Sequence, residues 1–261
     1  MQLLSLYSCL QIIFESLPVS SSGNLLLWIP LLERWLGFDQ VCVPVDFDFF
    51  LHIPTFFIVA LFIFMNLKAS LSDCYKYKGL LARVVLWIIV VDAITTLFFG
   101  LFKYVIPPFL PLWLGFLCTA LLLFSLKWAG KSHKNKQFLY RDALIIGIAQ
   151  GCSLLPGISR LASTLVAGIW LGYSWPRACL VSLVIELPLI GAASLKALYS
   201  VVTVSEYKEL LTGSFIGLVI GASIVSFCLL KIVFAMVKNK TVWKFGWYTL
   251  ILSIVAKAWC T

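Results

Sequence analysis

The chain reads as an all-α integral membrane protein, with six transmembrane helices plus two re-entrant helical hairpins in inverted-topology repeats. Three observations predict this. Of its 261 residues 62% are hydrophobic and only 12% charged, with a mean hydropathy of +1.02, more apolar surface than a soluble core of this length can take in. Two polar stretches carrying a proline, a glycine and several hydroxyls interrupt apolar runs: ESLPVSSSGN at 15–24 and LPGISRLAST at 155–164. Each is followed at a similar distance by a proline with a titratable residue two positions before it, His52 ahead of Pro54 and Glu186 ahead of Pro188. A duplicated broken helix followed by a proline-bearing span is the pattern of internally repeated membrane proteins with a site at the repeat interface.

Residues 1–14 and 25–32 are apolar but too short to cross about 30 Å of hydrocarbon, which takes around 20 helical residues. With the polar stretch between them they form the first re-entrant hairpin. A Pro and a Gly this close unwind a helix, and the freed backbone groups must then face a protein-lined cavity rather than lipid. Spans are predicted at 47–67, 82–102 and from Pro108 to Leu126. The second half repeats the plan: short apolar segments at 143–155 and 161–172 flank the PGISR motif, and spans follow at 178–200, 214–237 and 245–260. The repeats are therefore 1–126 and 142–261, joined by a linker at 127–141. Counted from their prolines, Pro18 and Pro156, the serines that correspond are Ser21 and Ser159.

The net charge of +9 would suggest nucleic acid in a soluble chain, but here the basic residues fall between apolar segments. No nucleic-acid partner is expected; membrane lipids with acidic headgroups are the neighbours these residues suit. Loops 68–83, 127–141 and 238–244 are rich in Lys and Arg and are predicted to be cytoplasmic, while 33–46 and 203–213 hold mainly acids and should lie outside. An odd number of spans per half inverts the second copy, so the hairpins enter from opposite sides and their tips meet near mid-membrane. Eight cysteines are scattered without a CxxC pair; Cys9, Cys118, Cys152, Cys179 and Cys228 sit in apolar runs and read as small core residues. The first 14 residues lack a basic start and a small-residue cleavage site, so they do not read as a removable signal.

Arg160 is the basic residue embedded in a hairpin, and an intramembrane arginine is costly enough to mark a functional site. Its planar fork suits phosphate or carboxylate. Gly157 would let the backbone approach a ligand, with hydroxyls from Ser159, Ser163 and Thr164 and helix N-terminal amides nearby. The alternative is a structural salt bridge from Arg160 to Glu15 or Asp48. Glu15 follows Gln11 by one helical turn on the same face and could serve as a base or as a ligand for a divalent cation. Ser20, Ser21 and Ser22 are nucleophile or oxyanion-donor candidates, although serines also cap helices. Asp48 and His52 share a helix face, four residues apart. Asp92 and Glu186 could belong to an ion path, or pair within the bundle.

The motifs ESLPVSSSGN and LLPGISRLAST, with FDFFLHIPT at 47–55, YRDALIIGIAQ at 140–150 and the proline of IELPLIGA, resemble the undecaprenyl-diphosphate phosphatase family. These bacitracin-resistance membrane phosphatases regenerate the lipid carrier of cell-wall (peptidoglycan) synthesis. The resemblance covers nearly the whole chain. It implies undecaprenyl diphosphate as substrate, hydrolysis to undecaprenyl phosphate and inorganic phosphate, residence in the bacterial cytoplasmic (inner) membrane, and a site open toward the outer face. It also implies a divalent cation, Mg or Ca, and leaves a homodimer open. Residue by residue, Glu15 matches a catalytic or metal-binding acid, Ser21 the nucleophile or phosphate ligand, and Arg160 the phosphate-binding arginine. Ser20, Ser22, Asn24, Gly157, Ser159 and Thr164 match the substrate-binding surroundings, and Gln11, Asp48 and His52 complete the candidates.

Three departures stand out. Gln11 occupies a position where the family usually has glutamate, Asn24 one where it has histidine, and SRLA replaces SRSG at 159–162. Both of the first two changes remove a proton acceptor. They leave a second expectation beside the enzyme: a non-hydrolytic prenyl-phosphate binder or transporter. If hydrolysis is retained, Asn24→His should raise its rate.

Overall fold

Ten α-helices make up most of the residues described by the computed structural model, 2–36, 45–71, 78–105, 110–130, 139–203 and 212–260, and no β-strand occurs among them. The first two, α1 (Gln2–Glu15) and α2 (Ser21–Leu36), are separated by residues 16–20. Their counterparts in the second half, α6 (Tyr140–Cys152) and α7 (Arg160–Trp170), are separated by residues 153–159. At about 1.5 Å per residue α1 and α6, of 14 and 13 residues, reach roughly 20 Å, well short of a bilayer core.

Both breaks are built the same way. The serine after each first helix turns back on it, Ser16 Oγ donating to Ile13 O at 2.9 Å and Ser153 Oγ to Gln150 O at 2.6 Å, which satisfies carbonyls the helix end leaves open. A second serine then starts the next helix: Ser20 Oγ accepts from Gly23 N at 3.1 Å and Ser159 Oγ from Ala162 N at 3.2 Å. The corresponding serines are therefore Ser20 and Ser159. Counting from the prolines pairs Ser21 with Ser159 instead, because the second break is longer; Ser21 and Ser22 belong to the first turn of α2, not to an unwound segment.

Four helices contain stretches long and apolar enough to cross a membrane: α3 (Val45–Leu71), α4 (Lys78–Tyr104), α8 (Trp175–Thr203) and α9 (Gly213–Lys238). They answer to the spans predicted at 47–67, 82–102, 178–200 and 214–237. The other two, α5 (Leu112–Ser125) and α10 (Phe245–Cys260), have only 14 and 16 residues, extended by 3-10 turns at Leu126–Trp128 and Val242–Lys244. Pro111 takes the N-cap position of α5, within the span predicted to follow the turn at 103–108. The chain is thus an all-helical, multi-pass membrane protein. Pro54 and Pro188 lie inside continuous helices, so the spans bearing them are not interrupted.

Part of the helix packing survives exchange of the two halves, although the α7–α8 packing has no comparable α2–α3 counterpart. α3 packs extensively on α8, and α5 on α10; α4 packs on α6 as α9 does on α1, and α4 touches α8 as α9 touches α3. Edge-on rings tie α3 to α9, with Phe62 5.3 Å from Phe234 and 6.4 Å from Phe227 between centroids. Leu51, Phe62, Leu183 and Ile185 are wholly or almost wholly buried in this core. Cys9, Cys118, Cys152, Cys179 and Cys228 are free thiols, but only Cys179 is a buried core residue, and Cys228 is exposed on α9, which corrects the expectation that all five are core residues.

The two breaks meet. A methyl group on Gly23 would stand 2.9 Å from Gly157 Cα, and one on Gly115 of α5 would run into Pro156 O. Gly157 has φ +83, a conformation that favours glycine, and a side chain there would also strike Leu112 O at 2.7 Å. Thr119 of α5 locks the second break in place, its Oγ1 donating to Gly157 O at 2.9 Å and accepting from Ser159 N at 3.1 Å.

Candidate active site

Glu15 is the last residue of α1, three positions before Pro18, and its side chain is only 6% exposed. Its Oε1 lies 2.6 Å from His52 Nδ1 on α3, and its Oε2 accepts a 2.9 Å hydrogen bond from Thr55 Oγ1. His52 and Thr55 are three residues apart, which puts both on the face of α3 that meets α1. A carboxylate oxygen this close to Nδ1 calls for a proton on that nitrogen.

Arg160 opens α7, directly after the capping Ser159. Its backbone carbonyl accepts from Ser163 Oγ at 3.0 Å and Thr164 Oγ1 at 2.9 Å. Its Nη1 lies 3.4 Å from Glu186 Oε1 on α8, so among the described residues the arginine's ion pair is with Glu186 rather than with Glu15. Arg160 Nε is buried and has no hydrogen-bond partner among the described residues. The two pairs form one cluster: Glu15 is within electrostatic reach of His52 and Arg160, and Glu186 within that of Arg160, Glu15 and His52. At its edge Asp92 Oδ1 accepts from Gln150 Nε2 at 3.1 Å and also feels the charge of Arg160.

The serine triplet divides by role. Ser20 is consumed as a helix cap, with Ser22 Oγ 3.4 Å from its hydroxyl. The Ser21 hydroxyl, partly exposed, has no hydrogen-bond partner among the described residues. The first amides of α2 and α7 lack intrahelical acceptors by position, and the first turn of α2 meets the break that leads into α7 at the Gly23–Gly157 contact.

Several expected contacts take another form. Asn24 is fully buried, its Nδ2 donating to Ser20 O at 2.8 Å and its Oδ1 accepting from Tyr248 OH at 2.6 Å. Its amide braces α2 against α10. The close approach that Gly157 makes within the protein is to α5 and to Gly23. The hydroxyls of Ser159 and Thr164 are engaged in starting α7, so they shape the site through Arg160's backbone. The Asp48 side chain lies outside the described residues.

Two contributors, Thr55 and Thr119, escaped the sequence reading, and a third was read without its partner. Thr55 stands one turn from His52 in the LHIPT segment, and that spacing could have revealed it. Glu186 was legible as a buried acid but not as Arg160's partner. Thr119 sits in an apolar run with no signal at all.

The oxygen donors fit a hard cation only in part. Among the described residues no group of three or more His, Cys, Asp or Glu side chains could hold a metal. Yet Gln11, one turn before Glu15, is 2% exposed and its Oε1 is buried without a partner among the described residues. A carbonyl oxygen and one carboxylate suit a magnesium- or calcium-like ion that takes its remaining ligands from water and substrate phosphate.

Fold and site together define a multi-pass membrane protein with a buried, charged cluster where two broken helices meet. The family model described as "Bacitracin resistance protein BacA" matches residues 5–255, and the chain belongs to that family. Among similar proteins, one from Methanosphaera stadtmanae is 31% identical over 93% of this chain and 92% of its own length. One from Thermotoga sp. (strain RQ2) is 30% identical over 96% and 97%. One from Borrelia recurrentis is 30% identical over 70% and 71%. All three carry the name undecaprenyl-diphosphatase.

Proposed function

We propose that this protein is a membrane phosphatase that hydrolyses undecaprenyl diphosphate to undecaprenyl phosphate and inorganic phosphate. The observation that carries the reading is the convergence of Glu15–His52 and Arg160 beside two helix N-termini, in a member of the BacA family whose relatives are named for this activity. Arg160 binds the terminal phosphate through its guanidinium, which offers paired donors to two oxygens. The amides at the start of α2 and α7 add positive potential where charge develops. Glu15 takes the proton of the attacking hydroxyl, that of Ser21 or of a water, as the new P–O bond forms and the anhydride bond to the lipid phosphate breaks. His52 donates its Nδ1–H to Glu15 from behind and so orients the carboxylate, which then gives up the proton it has taken to the departing lipid phosphate or to solvent. Attack by Ser21 requires a second, identical cycle in which water releases the phosphate. A divalent cation, held by Glu15 and the Gln11 carbonyl, would neutralise phosphate oxygens.

The helix pairs that recur on exchange of the halves support two inverted repeats, 1–126 and 142–261, with α5 and α10 completing six spans. The basic loops support a cytoplasmic linker at 127–141, and on that reading the first hairpin opens the site toward the outer face of the inner membrane. That location suits a role in recycling the lipid carrier for peptidoglycan synthesis, and with it bacitracin resistance. The test is product analysis: purified protein given undecaprenyl diphosphate should yield monophosphate and inorganic phosphate in equal amounts. Binding of the lipid without either product would instead support a prenyl-phosphate binder or transporter.

A further inference from the structure

Glu186 is an acid that the mechanism above leaves unused. It stands two residues before Pro188 as His52 stands two before Pro54, on the helices α3 and α8 that pack against each other. Each proline-bearing helix thus lends one titratable side chain to the hairpin of its own half: His52 to Glu15 at 2.6 Å, Glu186 to Arg160 at 3.4 Å.

The geometry of the guanidinium makes the second pairing selective. An arginine fork has two usable edges, one formed by Nη1 with Nη2 and one by Nε with Nη2. Glu186 engages Nη1, while Nε is buried without a partner among the described residues. A buried donor left without an acceptor is destabilising, and an anion that accepts from it relieves the loss. The edge left for that anion is the one through Nε, whose parallel N–H bonds match two phosphate oxygens. Glu15 and Asp92 are the other described carboxylates within Arg160's electrostatic reach, so an arginine released from Glu186 is free to turn toward either, and toward Glu15 it would occupy the proton acceptor.

We infer that Glu186 is a positioning residue for phosphate recognition: it fixes Arg160 through Nη1 so that the Nε edge faces the terminal phosphate of the lipid. This rests on the reading of Arg160 as the phosphate ligand. It also supplies a second carboxylate to the cluster of a chain that has glutamine at position 11.

The test compares two ligands that differ only in the phosphate, a fifteen-carbon prenyl monophosphate and the corresponding prenyl alcohol, binding to purified protein in detergent. Glu186→Gln should weaken the phosphate ligand about threefold and Glu186→Ala about tenfold, with the alcohol changed by less than about twofold in both. Unchanged phosphate affinity in both variants overturns the inference. So does an equal loss for both ligands, which marks Glu186 as merely structural. Should Glu186→Ala fail to fold, the isosteric Glu186→Gln decides alone by the same criteria. Wild-type protein that shows this dependence yet releases no phosphate from a prenyl diphosphate sinks the phosphatase reading and keeps the inference. Wild-type protein that binds phosphate and alcohol equally well sinks Arg160's role and the inference with it.

Discussion

Gly23 and Gly157, one from each broken helix pair, touch through their backbones, so that a single methyl on Gly23 would stand 2.9 Å from Gly157 Cα. This contact joins the first turn of α2 to the break that leads into α7. Gly157→Ala would add a side chain at φ +83 and against Leu112 O, and should destabilise the fold by about 1–3 kcal/mol. Thermal unfolding in detergent measures it, and a midpoint equal to wild type would show that the seam yields without strain.

Arg160→Lys keeps the charge but gives up the planar fork and the Nε donor. Phosphate release should fall by about tenfold or more, the order expected for losing a charge-assisted hydrogen bond. Activity near wild type would leave Arg160 a structural partner of Glu186.

Because Glu15 and His52 are 2.6 Å apart, their effects should not add. Glu15→Gln and His52→Ala should each cost about 10²–10⁴-fold in kcat, the usual worth of a positioned proton acceptor, and the double variant should be little worse than Glu15→Gln alone. Thr55→Val removes one hydrogen bond to Glu15 and should have a milder effect, about tenfold or less. Multiplicative losses at Glu15 and His52 would separate the two residues functionally.

Asn24→His, which the family pattern recommends as a gain of function, should not raise the rate. The position is filled by a fully buried amide bonded to Ser20 O and Tyr248 OH, and an imidazole would have to displace both contacts. Asn24→Ala removes both side-chain hydrogen bonds while Ser20 O keeps its bond from the backbone N–H of residue 24, and should lower stability by about 1 kcal/mol. An Asn24→His protein that is both stable and faster would restore the view of this position as part of the reacting centre.

Orientation is checked by labelling single cysteines in a cysteine-free background. Positions in 68–81 and 127–141 should react from the cytoplasmic side and positions in 33–46 and 203–213 from the outside. Finding 33–46 and 127–141 on the same side would contradict the inverted arrangement of the halves.

How far the molecule could be read beforehand follows from what sequence patterns encode. The four long helices and both hairpin breaks were legible because hydrophobic length and Pro/Gly/Ser punctuation are local signals. Glu15, His52 and Arg160 could be named for similar reasons, as charges that apolar surroundings do not tolerate without a role. What stayed hidden is pairwise: that Ser20 rather than Ser21 matches Ser159, that Glu186 faces Arg160, and that Asn24 faces Tyr248 across 224 residues. Such partners are fixed by packing between helices, and spacing along one helix carries no trace of them. The short α5 shows a different limit, since hydropathy extends across 108–126 while Pro111 takes the N-cap position and the helix begins at Leu112.

The central claim, that one reacting centre is assembled from α1, α3 and α7, is tested most directly by phosphate release. Purified protein in detergent, with magnesium or calcium and undecaprenyl diphosphate, is compared with its Glu15→Gln and Arg160→Ala variants of matched thermal stability. The account predicts steady release by the wild type and a loss of at least about 10²-fold in each variant. Wild-type release indistinguishable from Arg160→Ala would contradict it.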